Sequence, residues 1–359
     1  MSLSELRSKI DDIDAQIIEL LNKRAEAALE ISQIKRQEEL PIYQPDRERA
    51  VLERIKRLNA GHLSEDNIVA IYREIISGTR GLQSKRVRVA YLGPEATFSH
   101  LAARKEFGAG VDLIPKQSIP EVAREVERGE ADYGVVPIEN SIEGSVAYTL
   151  DTLIDSRLNI CAELLLAISL NLVANCELKK IKVLYSHPQP LAQSRAWLRE
   201  NLPGVEYIET SSTTAAAKLA KENSESGAIA SALAAELYDL KILARHIEDK
   251  AGNYTRFLVL GNQPNPVTGD DKTSILFSIT DRPGALYRIT QPFAELDINL
   301  TKIESRPSRR QLWEYIFFLD FQGHVEEDKV KKALNKLKEE CLFLKVLGSY
   351  PRESMPDVA

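Results

Sequence analysis

Cysteine is scarce. Cys161, Cys176 and Cys341 stand far apart with no CxxC pair, so neither a disulfide framework nor a zinc site is indicated. Histidine is equally thin, and His100, His246 and His324 show no ligand spacing, so no metal and no cofactor are expected. Glycine is missing from the first 60 residues, and Phe and Trp from everything before Phe98, which sets the N-terminal segment apart. No hydrophobic run is long enough for a bilayer: the most apolar stretch, 161–174, is broken by Glu163, Ser169 and Asn171. The opening MSLSELRSKIDDID alternates charged and apolar residues, unlike a signal peptide. A net charge of -6 argues against a non-specific nucleic-acid binder while leaving room for a small anion held by a few placed cations. What remains, in 359 residues at 43% hydrophobic and 28% charged, is an ordinary globular balance for two or three domains. The expectation is a soluble, cytoplasmic, multidomain protein with neither membrane nor nucleic-acid partner.

Three textures follow one another. Leu6, Ile10, Ile13, Ile17, Leu20, Ile31 and Ile34 recur at threes and fours, predicting one helix from Leu3 to Glu39, about 54 Å long. Pro45 opens a second helix to about Leu58, and Ser64 caps a third to about Gln83. Two short followers cannot cover so long an apolar stripe, so a helical dimer is expected; the same helix could also be a dimerisation arm with no chemistry. From Arg86 the sequence alternates short apolar strands (VRVAYLG, DYGVVPI, VLYS, GAIAS, TRFLVLG) with helices such as SIPEVAREVERGE. That pattern predicts an α/β sheet with ligands at the strands' carboxyl ends, over enough chain for two lobes and a cleft. Residues 262–272 (NQPNPVTGDDK) read as a linker. The last segment runs strand, helix, strand, strand, helix, strand, the ferredoxin-like βαββαβ order.

Arg24 and Lys35 are close to three turns apart and share a helix face, while Arg7 points roughly 100° away and could serve a partner's site. Cations gathered within a bundle repel one another unless an anion lies between them. The segments LRSKIDDIDAQIIELLNKRAE, QIK, IYQPDRERAVL and IYREIISGTRGLQ resemble the all-helical chorismate mutase family over residues 3 to about 85. The resemblance implies that Arg7 of a partner chain, Arg24 and Arg47 hold the substrate's carboxylates. It implies further that Lys35 and Gln83 donate to the ether oxygen, and that Glu48 and Gln44 meet the ring hydroxyl. Thr79 stands where serine is common. The chemistry suits these residue types, because a Claisen rearrangement needs a frozen conformer and stabilisation of charge on the ether oxygen, not a nucleophile.

Five polar clusters mark strand ends or helix starts in the middle segment: GPEATFS, PIENSIEGS, SHPQPLAQ, ETSSTTAA and NYTRF. Singly, Thr97 and Ser212 to Thr214 read first as helix caps. Together the clusters form a set of hydroxyls, amides and helix N-termini with one cation, Arg256, suited to a small polyanion. The set resembles prephenate dehydratase over nearly all of residues 87–262. That resemblance implies Thr255 as the essential residue and Arg256 facing a carboxylate. It assigns Glu139, Asn140, Ser186 and Gln193 to the cleft, with Thr97, Ser212 and Thr213 as further substrate contacts. Ala96 takes the place of a frequent glycine. His187, followed by Pro188 in a turn, is read as structural.

GALYRI and, after NLTKI, ESRP resemble the ACT domain attached to such dehydratases, which binds phenylalanine between paired domains. Gly284, Ala285, Leu286, Asn299 and Leu300 are the implied effector contacts, with Glu304, Ser305, Arg306 and Pro307 farther along the strand, where a turn could bring them to a domain interface. Tyr287 replaces the usual aliphatic residue. A packing glycine and a surface salt bridge are the plain alternative.

The fold expected is an all-α mutase domain in a dimeric bundle (1–86), a two-lobed, periplasmic-binding-protein-like α/β dehydratase domain (87–262) and an α+β ferredoxin-like ACT domain (272–350). The function expected is conversion of chorismate to prephenate and of prephenate to phenylpyruvate, with feedback by L-phenylalanine, in a homodimer or higher homo-oligomer. An amino-acid-sensing regulatory protein and an arogenate-using dehydratase are the alternatives.

Overall fold

Ser2 opens the first helix through a capping box: its hydroxyl accepts from the Glu5 amide at 3.2 Å, and the Glu5 carboxylate accepts from the Ser2 amide at 2.7 Å. The computed structural model describes residues 2–38, 43–82, 86–250, 252–307 and 315–353. In chain order, α1 (Leu3–Gln37) is unbroken, α2 (Pro45–Leu58) starts on its proline, and α3 (Glu65–Gly81) is capped by Ser64. Two compact units emerge, residues 1–88 with 107–112, and residues 89–106 with 113–359.

In the first unit α1 leaves its apolar stripe uncovered, with Leu6, Ile10, Ile13, Ile17 and Leu20 between 43% and 64% exposed. Segment 107–112 packs on α3, where the Gly110 amide donates to Ser77 Oγ at 2.7 Å. A Cβ at Gly110 would fall 2.4 Å from the Ser77 carbonyl oxygen, so only glycine permits that approach.

The second unit holds three sheets. In the first, β1 (Arg88–Leu92), β2 (Asp112–Lys116), β3 (Tyr133–Asn140), β5 (Asn159–Ala167) and β11 (Tyr254–Gly261) run in the order β2-β1-β3-β11-β5. The short β4 (Gly144–Ser145) pairs with β3. Helices α4 (Phe98–Phe107), α5 (Ile119–Glu127) and α6 (Ala147–Asp155) come from the same stretch of chain. The second sheet orders β6 (Asn171–Ala174), β7 (Val183–Ser186), β8 (Glu206–Glu209), β9 (Ser226–Ala230) and β10 (Lys241–Ala244) as β10-β6-β9-β7-β8. With it go α7 (Pro188–Gln193), α8 (Arg195–Asn201), α9 (Thr213–Glu222) and α10 (Ala232–Leu237). The chain crosses between these lobes twice, and the crossings are tied by Ile168 N–H to Asn253 O at 2.8 Å and Ile247 N–H to Leu170 O at 2.9 Å.

The third sheet follows β12 (Asp271–Ile279), α11 (Ala285–Glu295), β13 (Leu300–Pro307), β14 (Tyr315–Gln322), α12 (Asp328–Glu340) and β15 (Cys341–Pro351). Its order, β13-β14-β12-β15, is that of the ferredoxin-like unit. One of its faces (Ile275, Phe277, Leu319, Phe321) packs with Ile289, Phe293 and Leu337 of the two helices. The opposite face (Leu276, Ile316, Phe318) shares a buried cluster with Leu153, Ile160, Leu258 and Leu260 of the first lobe. The expected linker at 262–272 is therefore pinned: Asn265 Nδ2 donates to Cys161 O at 2.6 Å and Ser349 O at 3.0 Å, and β12 begins at Asp271. Among the described residues no helix is long and apolar enough to cross a membrane.

Candidate functional sites

In the first unit Arg24 reaches from α1 to α3, its Nη1 donating to Thr79 Oγ1 at 2.9 Å. Thr79 passes its own hydrogen back to the helix, to Ile75 O at 2.9 Å or Ile76 O at 3.0 Å. Lys35 is partly buried. That desolvation lowers its pKa against the opposing pull of Glu48 and Asp46, with Arg80 and Arg47 adding to the lowering. Lys35 thus feels the charges of Asp46, Arg47 and Glu48 at the start of α2. Glu48 is gripped by Arg80, whose Nη2 lies 2.7 and 2.6 Å from the two carboxylate oxygens. Arg80 is 4% exposed and lies over the rings of Tyr43 and Phe107, 5.2 and 5.7 Å from their centroids. Nothing in the sequence singled out Arg80, because its partner is far along the chain and the pair has no recognisable spacing. Gln44 is the N-cap of α2 and makes no side-chain cap bond. Arg7 is exposed, 17 residues and about 25 Å along α1 from Arg24, so one chain does not bring the two together. Gln83 lies outside the described residues.

Between the lobes of the second unit is a cleft of about 330 Å³. Thr97 enters at the start of α4, Ser212 and Thr213 at the start of α9, and Gln193 at the end of α7. Ser212 caps α9 by accepting from the Ala215 amide at 3.0 Å, and Thr97 accepts from the His100 amide at 3.3 Å. Capping and cleft-lining are therefore one placement, since a cap residue stands where the helix N-terminus faces the opening. His187 also lines the cleft, and its Nδ1 accepts from the Gln189 amide at 3.4 Å. Its reading as purely structural is incomplete.

The cleft floor is the paired ends of β3 and β11. Asn140 is in register with Thr255, and Asn140 Nδ2 donates to Thr255 Oγ1 at 2.9 Å and to Asn253 Oδ1 at 2.7 Å. Asn253, which the sequence reading left out of its site, donates in turn to Gln193 Oε1 at 3.4 Å. Thr255 is 9% exposed and lines the opening.

Three expectations for this cleft are corrected. Arg256 and Glu139 are also in register with each other, one residue on from Thr255 and one back from Asn140, and strand alternation turns both to the opposite face. Arg256 donates there to Glu163 Oε2 at 2.7 Å, Asp320 Oδ2 at 2.6 Å and the Tyr350 hydroxyl at 2.9 Å, so it does not line the cleft. Glu139 pairs with Lys302 at 2.9 Å. Ser186 is buried beneath the rim, its hydroxyl donating to His187 O at 2.9 Å. Among the described lining residues there is no lysine or arginine; hydroxyls, amides and helix N-termini line the cleft together with the Glu143 carboxylate and His187.

Comparison with known proteins identifies the domains that carry these residues. Residues 6–84 match chorismate mutase type II, residues 89–265 prephenate dehydratase and residues 273–339 the ACT domain. A bifunctional chorismate mutase/prephenate dehydratase from Aquifex aeolicus is 50% identical over 98% of both chains. The chain belongs to the bifunctional chorismate mutase/prephenate dehydratase family. Among solved structures, a prephenate dehydratase from Arthrobacter aurescens in complex with L-Phe is 36% identical, with a TM-score of 0.69 over 74% of this chain and 90% of its own. GqqA, described as a novel type of quorum-quenching acylase, is 29% identical, with a TM-score of 0.68 over 74% of this chain and 98% of its own.

Within the ACT domain Gly284 caps α11 at φ 75°, a left-handed conformation that favours glycine. Ala285 and Leu286 start the helix. Asn299 and Leu300 lie at its far end: Leu300 is in register with Phe321 and, across it, Thr273 at the start of β12, whereas Gly284 follows that strand's end. The expected effector pocket is therefore not assembled within one chain. Strand β13 alternates, with Lys302, Glu304 and Arg306 turned inward and Ser305 and Pro307 exposed. Ser145 donates to Glu304 at 2.9 Å, and Arg306 Nε donates to Asp151 at 3.0 Å. Glu304 and Arg306, expected among the effector contacts and near a domain interface, hold β4 and α6 of the dehydratase domain.

Proposed function

We propose that Arg24, Lys35, Arg47, Thr79 and Glu48, completed by Gln44, Gln83 and by Arg7 of a second copy, bind chorismate and stabilise charge on its ether oxygen. The prephenate produced is then dehydrated and decarboxylated in the cleft around Thr255. There Gln193, Thr97, Ser212 and Thr213 hold the substrate, Asn140 holds the Thr255 hydroxyl, and that hydroxyl meets the departing oxygen. The observation that carries this reading is the Asn140–Thr255 pair at the floor of a cleft ringed by helix N-termini. L-phenylalanine feeds back through the ACT domain. Because Gly284 and Asn299 sit at opposite ends of α11, an effector site using both needs two copies, with β13 as the exposed edge along which they pair. The protein acts in the cytoplasm as a homodimer or larger assembly.

Purified protein should consume chorismate and release phenylpyruvate. Arg24→Ala should cut mutase turnover by on the order of 10²-fold or more while sparing the dehydratase, and Thr255→Val should do the reverse with prephenate still bound. Faster turnover of arogenate than of prephenate would replace the substrate assignment. Phenylalanine binding with neither turnover would make the protein a sensor.

A further inference from the structure

The orientation of the Asn140 amide decides what the Thr255 hydroxyl can do. Asn140 Oδ1 accepts two backbone hydrogens, from Ile142 at 3.0 Å and Glu143 at 3.1 Å. Its Nδ2 faces Asn253 Oδ1 at 2.7 Å, Tyr254 O at 3.3 Å and Thr255 Oγ1 at 2.9 Å. Exchanging oxygen and nitrogen would set NH₂ against two N–H groups and a carbonyl oxygen against two acceptors, so the surroundings permit one orientation only. Thr255 Oγ1 therefore receives a hydrogen from Asn140 and cannot give its own back. Among the described residues Thr255 Oγ1 has no other hydrogen-bond partner, and its open side is the cleft.

We infer that Asn140 is a positioning residue that makes Thr255 an obligate hydrogen-bond donor toward the leaving hydroxyl, with Asn253 holding the amide in place; this rests on the dehydratase reading above. As the ring carboxylate departs as CO₂, the pair of its C–C bond enters the ring. The pair of the C–O bond leaves on the hydroxyl oxygen, which one solvent proton converts to water. Thr255 stabilises the negative charge on that oxygen while it grows. Asn140 in turn withdraws electron density from the threonine oxygen and strengthens its donation.

The test is an inversion of the usual order of substitutions. Asn140→Asp is isosteric and still accepts from Ile142 and Glu143, but it offers Thr255 an acceptor and draws its hydrogen away from the cleft. Asn140→Ala leaves the hydroxyl free to turn. On prephenate, kcat should fall on the order of 10²-fold or more in the Asp variant and only about tenfold, the size of one ordinary hydrogen bond, in the Ala variant. KM should stay within roughly threefold in both, since the rotor and not the binding surface has changed. A purely structural or substrate-binding Asn140 predicts the opposite order, with Asp the milder change, or a loss carried by KM; either result overturns the inference. If the Asp variant does not fold, Asn253→Leu removes the acceptor that holds the amide. A kcat loss with KM unchanged then supports the inference, and a KM effect alone overturns it. Wild-type turnover of prephenate, measured alongside, separates failure of this inference from failure of the dehydratase reading.

Discussion

Removing Arg256 tests how the dehydratase domain uses its charges. The guanidinium lies between Glu163 and Asp320, with Lys272 Nζ completing a buried four-charge cluster at 2.7 Å from Glu163. Such a cluster adds little net stability, but breaking it strands a carboxylate, at a typical cost of about 3–5 kcal/mol. Among the described residues Arg256→Gln leaves the Asp320 carboxylate with only the Ser274 hydroxyl, so denaturant unfolding should show a loss of that order. KM for prephenate should be unchanged in the folded variant. A rise of tenfold or more would return Arg256 to the substrate. Lys35 gives a second residue-scale expectation. Its desolvation holds the ammonium's pKa below the ordinary lysine value, so its proton is lost at lower pH in the folded chain than in the unfolded one. The penalty for keeping it charged is present at neutral pH and lifts as pH rises through the folded pKa. Donation to the ether oxygen needs the charged form. Mutase kcat should therefore decline on an alkaline limb beginning below the usual lysine range, and Lys35→Gln should lack that limb, along with most of the rate.

Elements show where sequence reading succeeds and where it stops. Pro45 and Ser64 mark helix starts because their chemistry is local, and both helices begin there. NYTRF puts Thr255 in the cleft but also Arg256 behind it, since neighbours on a strand face opposite ways. A motif read as a unit hides that alternation. His187, read as structural because Pro188 follows it in a turn, both caps α7 and lines the cleft. The run IFFLDF on β14 signals a strand buried on both faces, but not what buries it. On α1 the uncovered stripe and the distance from Arg7 to Arg24 point to a shared site. Subunits carrying Arg7→Ala and Arg24→Ala, each inactive alone, should therefore regain part of the mutase activity when mixed, because one hybrid site holds both arginines. Verified heterodimers with no recovery would exclude the shared site.

At the scale of the whole molecule the three expected domains behave as two bodies. The mutase helices form one unit, while the dehydratase and ACT domains share a hydrophobic cluster, the Arg256 network and the contacts of β13. Lys345 of β15 adds a polar clamp, its ammonium donating to the carbonyls of Leu153 and Ser156 at the end of α6. A deletion ending the chain near residue 262 would strip Leu258, Leu260 and Ile160 of cover and leave Arg256 and Glu163 without Asp320 and Lys272. Burying such side chains contributes about 1.5–3 kcal/mol each, comparable in sum with the whole stability of a domain. The truncated protein should lose dehydratase activity by misfolding, and not simply escape feedback. Intact protein should unfold by heat in two transitions, one for the helices and one for the dehydratase and ACT domains melting together. A ligand bound only to the folded second body raises that transition alone, by RT ln(1 + [L]/Kd), about 2.7 kcal/mol at a hundredfold excess over Kd. Phenylalanine should therefore raise the temperature at which dehydratase and ACT signals are lost while leaving the helical transition in place. Calorimetry with and without phenylalanine reads this directly. Three resolved transitions, with the ACT domain melting apart from the dehydratase, would show that the shared core does not join them.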